Sequence, residues 1–199
     1  MPESRNHYIG MLPLALLAAV VATFCDAIHV HTCTLVYPDP WLFNQSFWVF
    51  PLFFISFFIM AVAYFLVTKI LPDAISHEQS SSPGSFQACI ETLTCFIMVY
   101  LLSGFGNREP ILLSIIFYAS FFLRLAFTYD KQFLFGLAVV LAVAGILGEG
   151  TLAVFDMVQY RHDEYRLPEI FNVPWWLGGL YMHGAFALRE AMRFFVYKE

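Results

Sequence analysis

Long apolar runs, broken by short polar knots, fill the chain from residue 9 to residue 196. The runs are continuous and do not alternate in ten-residue units, which excludes a transmembrane barrel. A bilayer core is about 30 Å thick, so one helical crossing needs roughly 20 apolar residues. That length and the punctuation predict six helices, over residues 9–33, 46–71, 86–103, 110–127, 133–160 and 174–196. Pro38, Pro40 and Asn44 break the chain after the first helix. Pro72 and the stretch Ser80-Ser81-Ser82-Pro83-Gly84 follow the second. Gly104, Gly106 and Asn107 make a turn ahead of Pro110, a residue suited to the first turn of a helix. Thr128-Tyr129-Asp130-Lys131 links helices four and five, and a charged loop, Arg161 to Glu169, precedes helix six.

Composition sharpens the picture. Of the 199 residues 60% are hydrophobic and 13% are charged, with a mean hydropathy of +0.70. A soluble domain is about 25% charged. The expected fold is therefore all-α, a single integral-membrane domain spanning residues 1–199 as a six-transmembrane-helix bundle. The first apolar run exceeds the 7–15 residues of a signal-peptide core, so it is expected to remain as the first span. A net charge of −5 with 10 Lys+Arg offers no basic face for nucleic acid. Cys25, Cys33, Cys89 and Cys95 have no ligand spacing, so neither a metal nor a cofactor is expected.

Basic residues predict the orientation. With the N-terminus inside, the inner segments hold Arg5, Lys69, Arg124, Lys131, Arg189, Arg193 and Lys198, and the outer ones Arg108, Arg161 and Arg166. Both termini are expected in the cytoplasm, with Arg124, Arg189 and Arg193 snorkelling from inner helix ends. A repeat is also visible. Shifted by 128 positions, Tyr37, Pro40, Phe43, Asn44 and Trp48 fall on Tyr165, Pro168, Phe171, Asn172 and Trp176. Helices one-two and five-six then look like copies of one hairpin in the same orientation. An interfacial turn with an aromatic belt explains the same pattern.

Ionisable groups within the spans are candidates for function. Asp26 and His29 share a face of helix one, three residues apart. Glu149 and Asp156 are expected on one stripe of helix five, and His183 lies deep in helix six. The assigned topology puts Asp26, Glu149 and His183 in the outer half of the membrane, aimed at one pocket. Phe54 and Phe58, from a stripe that includes Phe53 and Phe57, are expected to line an apolar cavity together with Trp176. Three readings stay open for the polar groups: interhelical glue, polar anchor for a ligand, and acid/base chemistry by Asp26, Glu149, Asp156 and His183. No phosphate loop, nucleophile elbow or zinc-protease helix is present.

The order of the motifs resembles the Insig (insulin-induced gene) family. Thr34-Leu35-Val36-Tyr37-Pro38-Asp39 followed by Ser46-Phe47-Trp48-Val49-Phe50-Pro51 is similar to the family's entry to helix two. Thr128-Tyr129-Asp130-Lys131 is similar to its Thr-Phe-Asp-Arg loop. Pro168-Glu169, Trp176-Leu177, Tyr181, Gly184, Ala185 and Arg189 follow its pattern through helix six. The chain departs from it at Gly178, where the family has proline, and at Glu149, Asp156 and His183, where the animal proteins are less acidic. The resemblance implies a minimal relative, of bacterial type, that binds a sterol, isoprenoid or glycerolipid among its helices. It implies a second membrane protein as partner, with Asp130 as the partner-binding residue. The membrane would be the endoplasmic reticulum in a eukaryote and the inner or plasma membrane in a bacterium. The alternative is a small membrane enzyme acting on a lipid or isoprenoid as isomerase, cyclase or hydrolase.

Overall fold

The computed structural model describes residues 7–72, 75–161 and 173–197. Six helices carry the fold: α1 (His7–His31), α2 (Val49–Ile70), α3 (Phe86–Phe105), α4 (Pro110–Ala126), α5 (Lys131–Val154) and α6 (Trp176–Phe195). Helices α1, α2, α3 and α5 are long and apolar enough to cross a membrane, and α4 is apolar but shorter. Local chemistry sets several starts. The Ser85 hydroxyl accepts from the Ala88 amide at the head of α3, and Pro110 opens α4.

The outer surface is apolar. Leu16, Ile59, Met98, Leu123 and Val140 each leave more than half of their surface uncovered. A contiguous apolar exterior of this kind matches acyl chains as solvent. The interior is the inverse. Helix α6 carries Arg189, Glu190 and Arg193, yet most of its residues are buried against α5, α3, α4 and α1. Between helices in lipid the hydrophobic effect gives little drive, so close packing and hydrogen bonds hold the bundle. Gly10 illustrates the packing: a Cβ there would stand 2.2 Å from the Phe195 carbonyl oxygen, so only glycine lets α1 meet the end of α6.

The bundle has two distinct ends. At one, His7 Nδ1 meets the Val196 carbonyl, and the Gly84 amide donates to the Arg193 carbonyl. At the other, the end of α1 is tied to the end of α3: Asn107 donates to the Thr34 hydroxyl, which donates to the Gly104 carbonyl. Here β1 (Leu35–Val36) pairs antiparallel with β2 (Gln159–Tyr160), Leu35 opposite Tyr160 and Val36 opposite Gln159. This short clasp joins the α1–α2 connection to the segment after α5.

The clasp corrects one sequence expectation. Helix five does not reach residue 160 but ends at Val154, and Asp156 adopts a left-handed φ of 56°. The chain must turn there to feed β2, so Asp156 is exposed outside the helix and shares no stripe with Glu149. Helix two starts later than expected, at Val49, because a 3-10 turn (Leu42–Asn44) precedes it. The most extensive helix contacts are α1 with α2 and α5 with α6. Residues 165–172 of the suspected repeat lie outside the described residues.

Candidate functional site

The polar groups of the clasp end gather around two carboxylates. Asp26, 3% exposed in α1, accepts on Oδ2 from Tyr37 Oη at 2.7 Å and from Gln45 Nε2 at 2.6 Å. The second amide hydrogen of Gln45 goes to the Thr23 carbonyl at 3.0 Å. Both bonds to Asp26 use one oxygen, which leaves Oδ1 without a protein donor among the described residues. Glu149 on α5 accepts from Tyr181 Oη at 2.9 Å and Tyr160 Oη at 3.2 Å, one on each oxygen. Asp26 and Glu149 lie within electrostatic reach of one another, and Tyr37 within reach of both. Burial, then those carboxylates, hold the Tyr37 hydroxyl far above the usual phenol range. Burial and Glu149 do the same for Tyr160. Both phenols therefore stay protonated and act as donors.

One atom nearby is unusual. Thr23 Oγ1 is the single buried side-chain nitrogen or oxygen without a hydrogen-bond partner among the described residues. It sits three residues before Asp26, on the same side of α1. An unsatisfied buried hydroxyl costs about 1–3 kcal/mol.

The other expected residues divide. His29 shares the Asp26 face but turns to α3, where its Nε2 lies 2.7 Å from Ser103 Oγ. Ser103 gives its only hydrogen to the Tyr100 carbonyl, so His29 must donate. His29 also packs on Trp176, which is buried against Phe117. His183 does not join the carboxylates either. Arg124 Nη1 donates to His183 Nδ1 at 3.0 Å, and Nε2 faces the Phe117 carbonyl at 3.0 Å. Arginine has no acceptor, so Nδ1 is unprotonated and His183 is neutral with its hydrogen on Nε2. Phe54 and Phe58 are half-buried on α2, and Phe58 packs on the core that holds Tyr64 and Phe65.

Arg124 and Arg189 do not snorkel as expected. Arg124 lies over the Phe186 ring at 4.1 Å while bound to His183. Arg189, 4% exposed, donates to Glu190 at 2.9 Å, and Arg193 donates to Glu190 at 2.8 Å. Tyr129 donates to Glu190 and accepts from Arg193. Burial and the bond to Glu190 push the Tyr129 hydroxyl up to about 12, against the pull of Arg189. Reaching solvent would have left Glu190 unpaired inside the bundle, so Arg189 folds inward, while Arg193 bridges Glu190 and the Ser82 and Pro83 carbonyls of the α2–α3 connection.

Asp130 lies at the same end, before α5, with a left-handed φ of 47°. Its carboxylate accepts from Ser76 Oγ at 3.0 Å, the Ser80 amide at 2.7 Å and Ser80 Oγ at 2.8 Å. Burial pushes its acidity one way, but the Ser80 and Ser76 bonds outweigh it and hold the carboxyl below the usual range. Asp130 thus fastens the α2–α3 connection to the α4–α5 connection. Tyr37, Gln45, Tyr160, Tyr181 and Glu190 were not singled out as site residues from the sequence. The signal available was Tyr37, Gln45 and Tyr160 in the connections flanking two intramembrane acids, with Tyr181 near the start of helix six.

Fold and polar interior together define a multi-pass, six-helix membrane protein. More particularly, the fold is Insig-like. The chain is similar to the crystal structure of the mycobacterial Insig homolog MvINS from Mycobacterium vanbaalenii, with a TM-score of 0.75 and 18% identity. That match covers 100% of this chain and 98% of the other. A cross-linked MvINS trimer matches with a TM-score of 0.71 and 19% identity, over 97% of this chain and 96% of that one. No family model matches the chain, and no curated protein matches it.

Proposed function

We propose that this Insig-like protein binds a hydrophobic ligand, a sterol, isoprenoid or glycerolipid, whose polar end meets the Asp26–Glu149 cluster. The observation that carries this reading is that Thr23 Oγ1 is buried without a partner among the described residues, one turn from Asp26, whose Oδ1 has no donor among them either. A hydroxyl-bearing ligand end supplies the missing donor and acceptor at once. The apolar body of such a ligand suits a chain that is hydrophobic along almost its whole length.

Native mass spectrometry of the purified protein, with identification of any retained lipid, tests this directly. Thr23→Val, Asp26→Asn and Glu149→Gln should each weaken retention by about 1–3 kcal/mol, roughly 5- to 150-fold. Wild-type protein free of lipid, or variants that retain it equally, would sink the proposal.

A second reading rests on the same pair of acids from α1 and α5, which could transfer a proton to an isoprenoid or lipid. An amide cannot, so Glu149→Gln would then lower turnover by at least roughly 10²-fold while lipid retention persists. The termini end is assigned to the cytoplasm on the excess of basic residues there. Asp130 supports partner binding by shaping the loop surface, since its own carboxylate is occupied by Ser76 and Ser80.

A further inference from the structure

The connection between β1 and α2 runs back into the bundle rather than away from it. Gln45 Nε2 reaches the Thr23 carbonyl, and the Phe43 ring packs on the Phe24 ring with centroids 5.7 Å apart. Thr23 and Phe24 lie well inside α1, which ends at His31. At 1.5 Å per residue, Phe24 is about 10 Å below that end. Helix α1 has 25 residues and spans about 37 Å, some 7 Å more than a hydrocarbon core of about 30 Å. Even if the whole excess projected at this end, Phe24 and the ring stacked on it would lie within the hydrocarbon.

The segment is also built for that depth. Its outward side is apolar apart from the exposed Asn44, with Trp41 and Phe47 each 70% exposed, Leu42 55% and Phe43 53%. Phe24 beside it is 56% exposed, so the patch is continuous with the lipid-facing surface of α1. Non-helical backbone at membrane depth must satisfy its own polar groups. Part of the knuckle does so: the Trp41 amide donates to the Gln45 carbonyl, the Gln45 amide to the Leu42 carbonyl, and Ser46 Oγ to the Asp39 carbonyl. Phe43 and Asn44 take left-handed φ of 55° and 58°, which folds the chain into this tight knuckle. The inward side carries Gln45, and Tyr37 just before the knuckle, onto Asp26.

We infer that residues 41–47 form a re-entrant knuckle whose outward apolar side chains lie in the acyl chains of the bilayer, standing between lipid and Asp26. Its occupant is lipid, not a protein partner or water. Spin labelling in phosphatidylcholine/phosphatidylglycerol vesicles tests this. Exposed Cys33 and Cys95 are replaced by serine, buried Cys25 and Cys89 stay, and the unlabelled background serves as the blank. Labels at Leu42→Cys and Phe47→Cys are compared with Leu16→Cys on the lipid face of α1 and Arg108→Cys in the α3–α4 turn. Power saturation with oxygen and a water-soluble nickel chelate should give both knuckle labels an oxygen-dominated response like position 16. A nickel-dominated response like position 108 at either knuckle site would overturn the inference. All four sites are exposed, so labelling leaves the packed interior untouched.

Discussion

Gly145 controls the geometry at Glu149, and replacing it by alanine should break one of the two hydrogen bonds there. The two residues are four apart on α5 and share a face. A methyl at position 145 would stand 2.3 Å from Tyr181 Cδ2, 2.4 Å from Cε2 and 2.5 Å from Cγ. Ordinary contact begins near 3.4 Å, so the ring must retreat by about 1 Å. Rotation about χ2 cannot provide this, because Cγ lies on the rotation axis and is itself too close. Either Tyr181 changes χ1 or α5 separates from α6, and both draw Tyr181 Oη away from Glu149, now 2.9 Å distant. Overpacking costs about 1–3 kcal/mol and the lost bond to a carboxyl about 1–3 more. For a chain of this size 1 kcal/mol shifts Tm by about 2–4 °C, so a loss of roughly 4–24 °C is expected. The assay is thermal unfolding in detergent of wild type, Gly145→Ala, Tyr181→Phe and the double variant. Tyr181→Phe should be destabilising alone and cost less than about 0.5 kcal/mol in the Gly145→Ala background. Equal effects of Tyr181→Phe in both backgrounds would refute the reasoning, since the hydrogen bond would have survived the methyl.

Glu190→Gln should destabilise the fold by about 3–5 kcal/mol, because it leaves Arg189 and Arg193 inside the bundle without a counter-charge; a Tm within 2 °C of wild type, taking about 2–4 °C per kcal/mol, would contradict this. Orientation is open to cysteine labelling in sealed cells: Lys131→Cys should react only with permeant reagent and Arg108→Cys with impermeant reagent, and the reverse pattern inverts the topology. The Asp130 tie should be sensitive to acid. Its folded acidity lies below the ordinary value, so the stabilisation is present above the unfolded pKa and lost as pH falls through the lower folded one. Protection of the Ser80 amide, its exchange measured against the unprotected rate at the same pH, should therefore be high at neutral pH and fall in strong acid for wild type, and be low at all pH values for Asp130→Ala.

The helices were legible because each needs its own continuous apolar run, and the six runs are separated by proline, glycine and charge. What defeated the sequence was pairing between distant segments. Helix five reads as continuing to Tyr160 because Phe155, Met157 and Val158 keep it apolar; only the partner strand Leu35–Val36 explains the turn at Asp156. The depth of Asp26 and Glu149 could be counted from helix ends, and each takes its own set of donors at that depth. The convergence of His183 could not, since α6 aims it at Arg124, a residue expected to reach for solvent. Spacing along one helix says which residues share a face, but not which neighbour that face meets. The fold agrees with the family suggested by the Tyr-Pro-Asp, Trp-Val and Thr-Tyr-Asp motifs, although each is short.

Helix α6 shows why polarity must be read differently in this fold. By composition it is the least apolar of the six helices, and in water it would be assigned to the surface. Here it is the most enclosed, because in lipid the apolar faces point outward and polar groups must find partners within. A charged residue at the middle of a lone spanning helix costs about 2.5–3.5 kcal/mol, so α6 is poorly suited to enter a bilayer unaccompanied. Its arginines need Glu190 and the Tyr129 loop, its histidine needs α4, and Tyr181 needs the space at Gly145 on α5. Each partner lies on a segment made before α6 in the chain. The final helix therefore completes the polar interior that the preceding five leave open, and the Glu149 site exists only once it has docked.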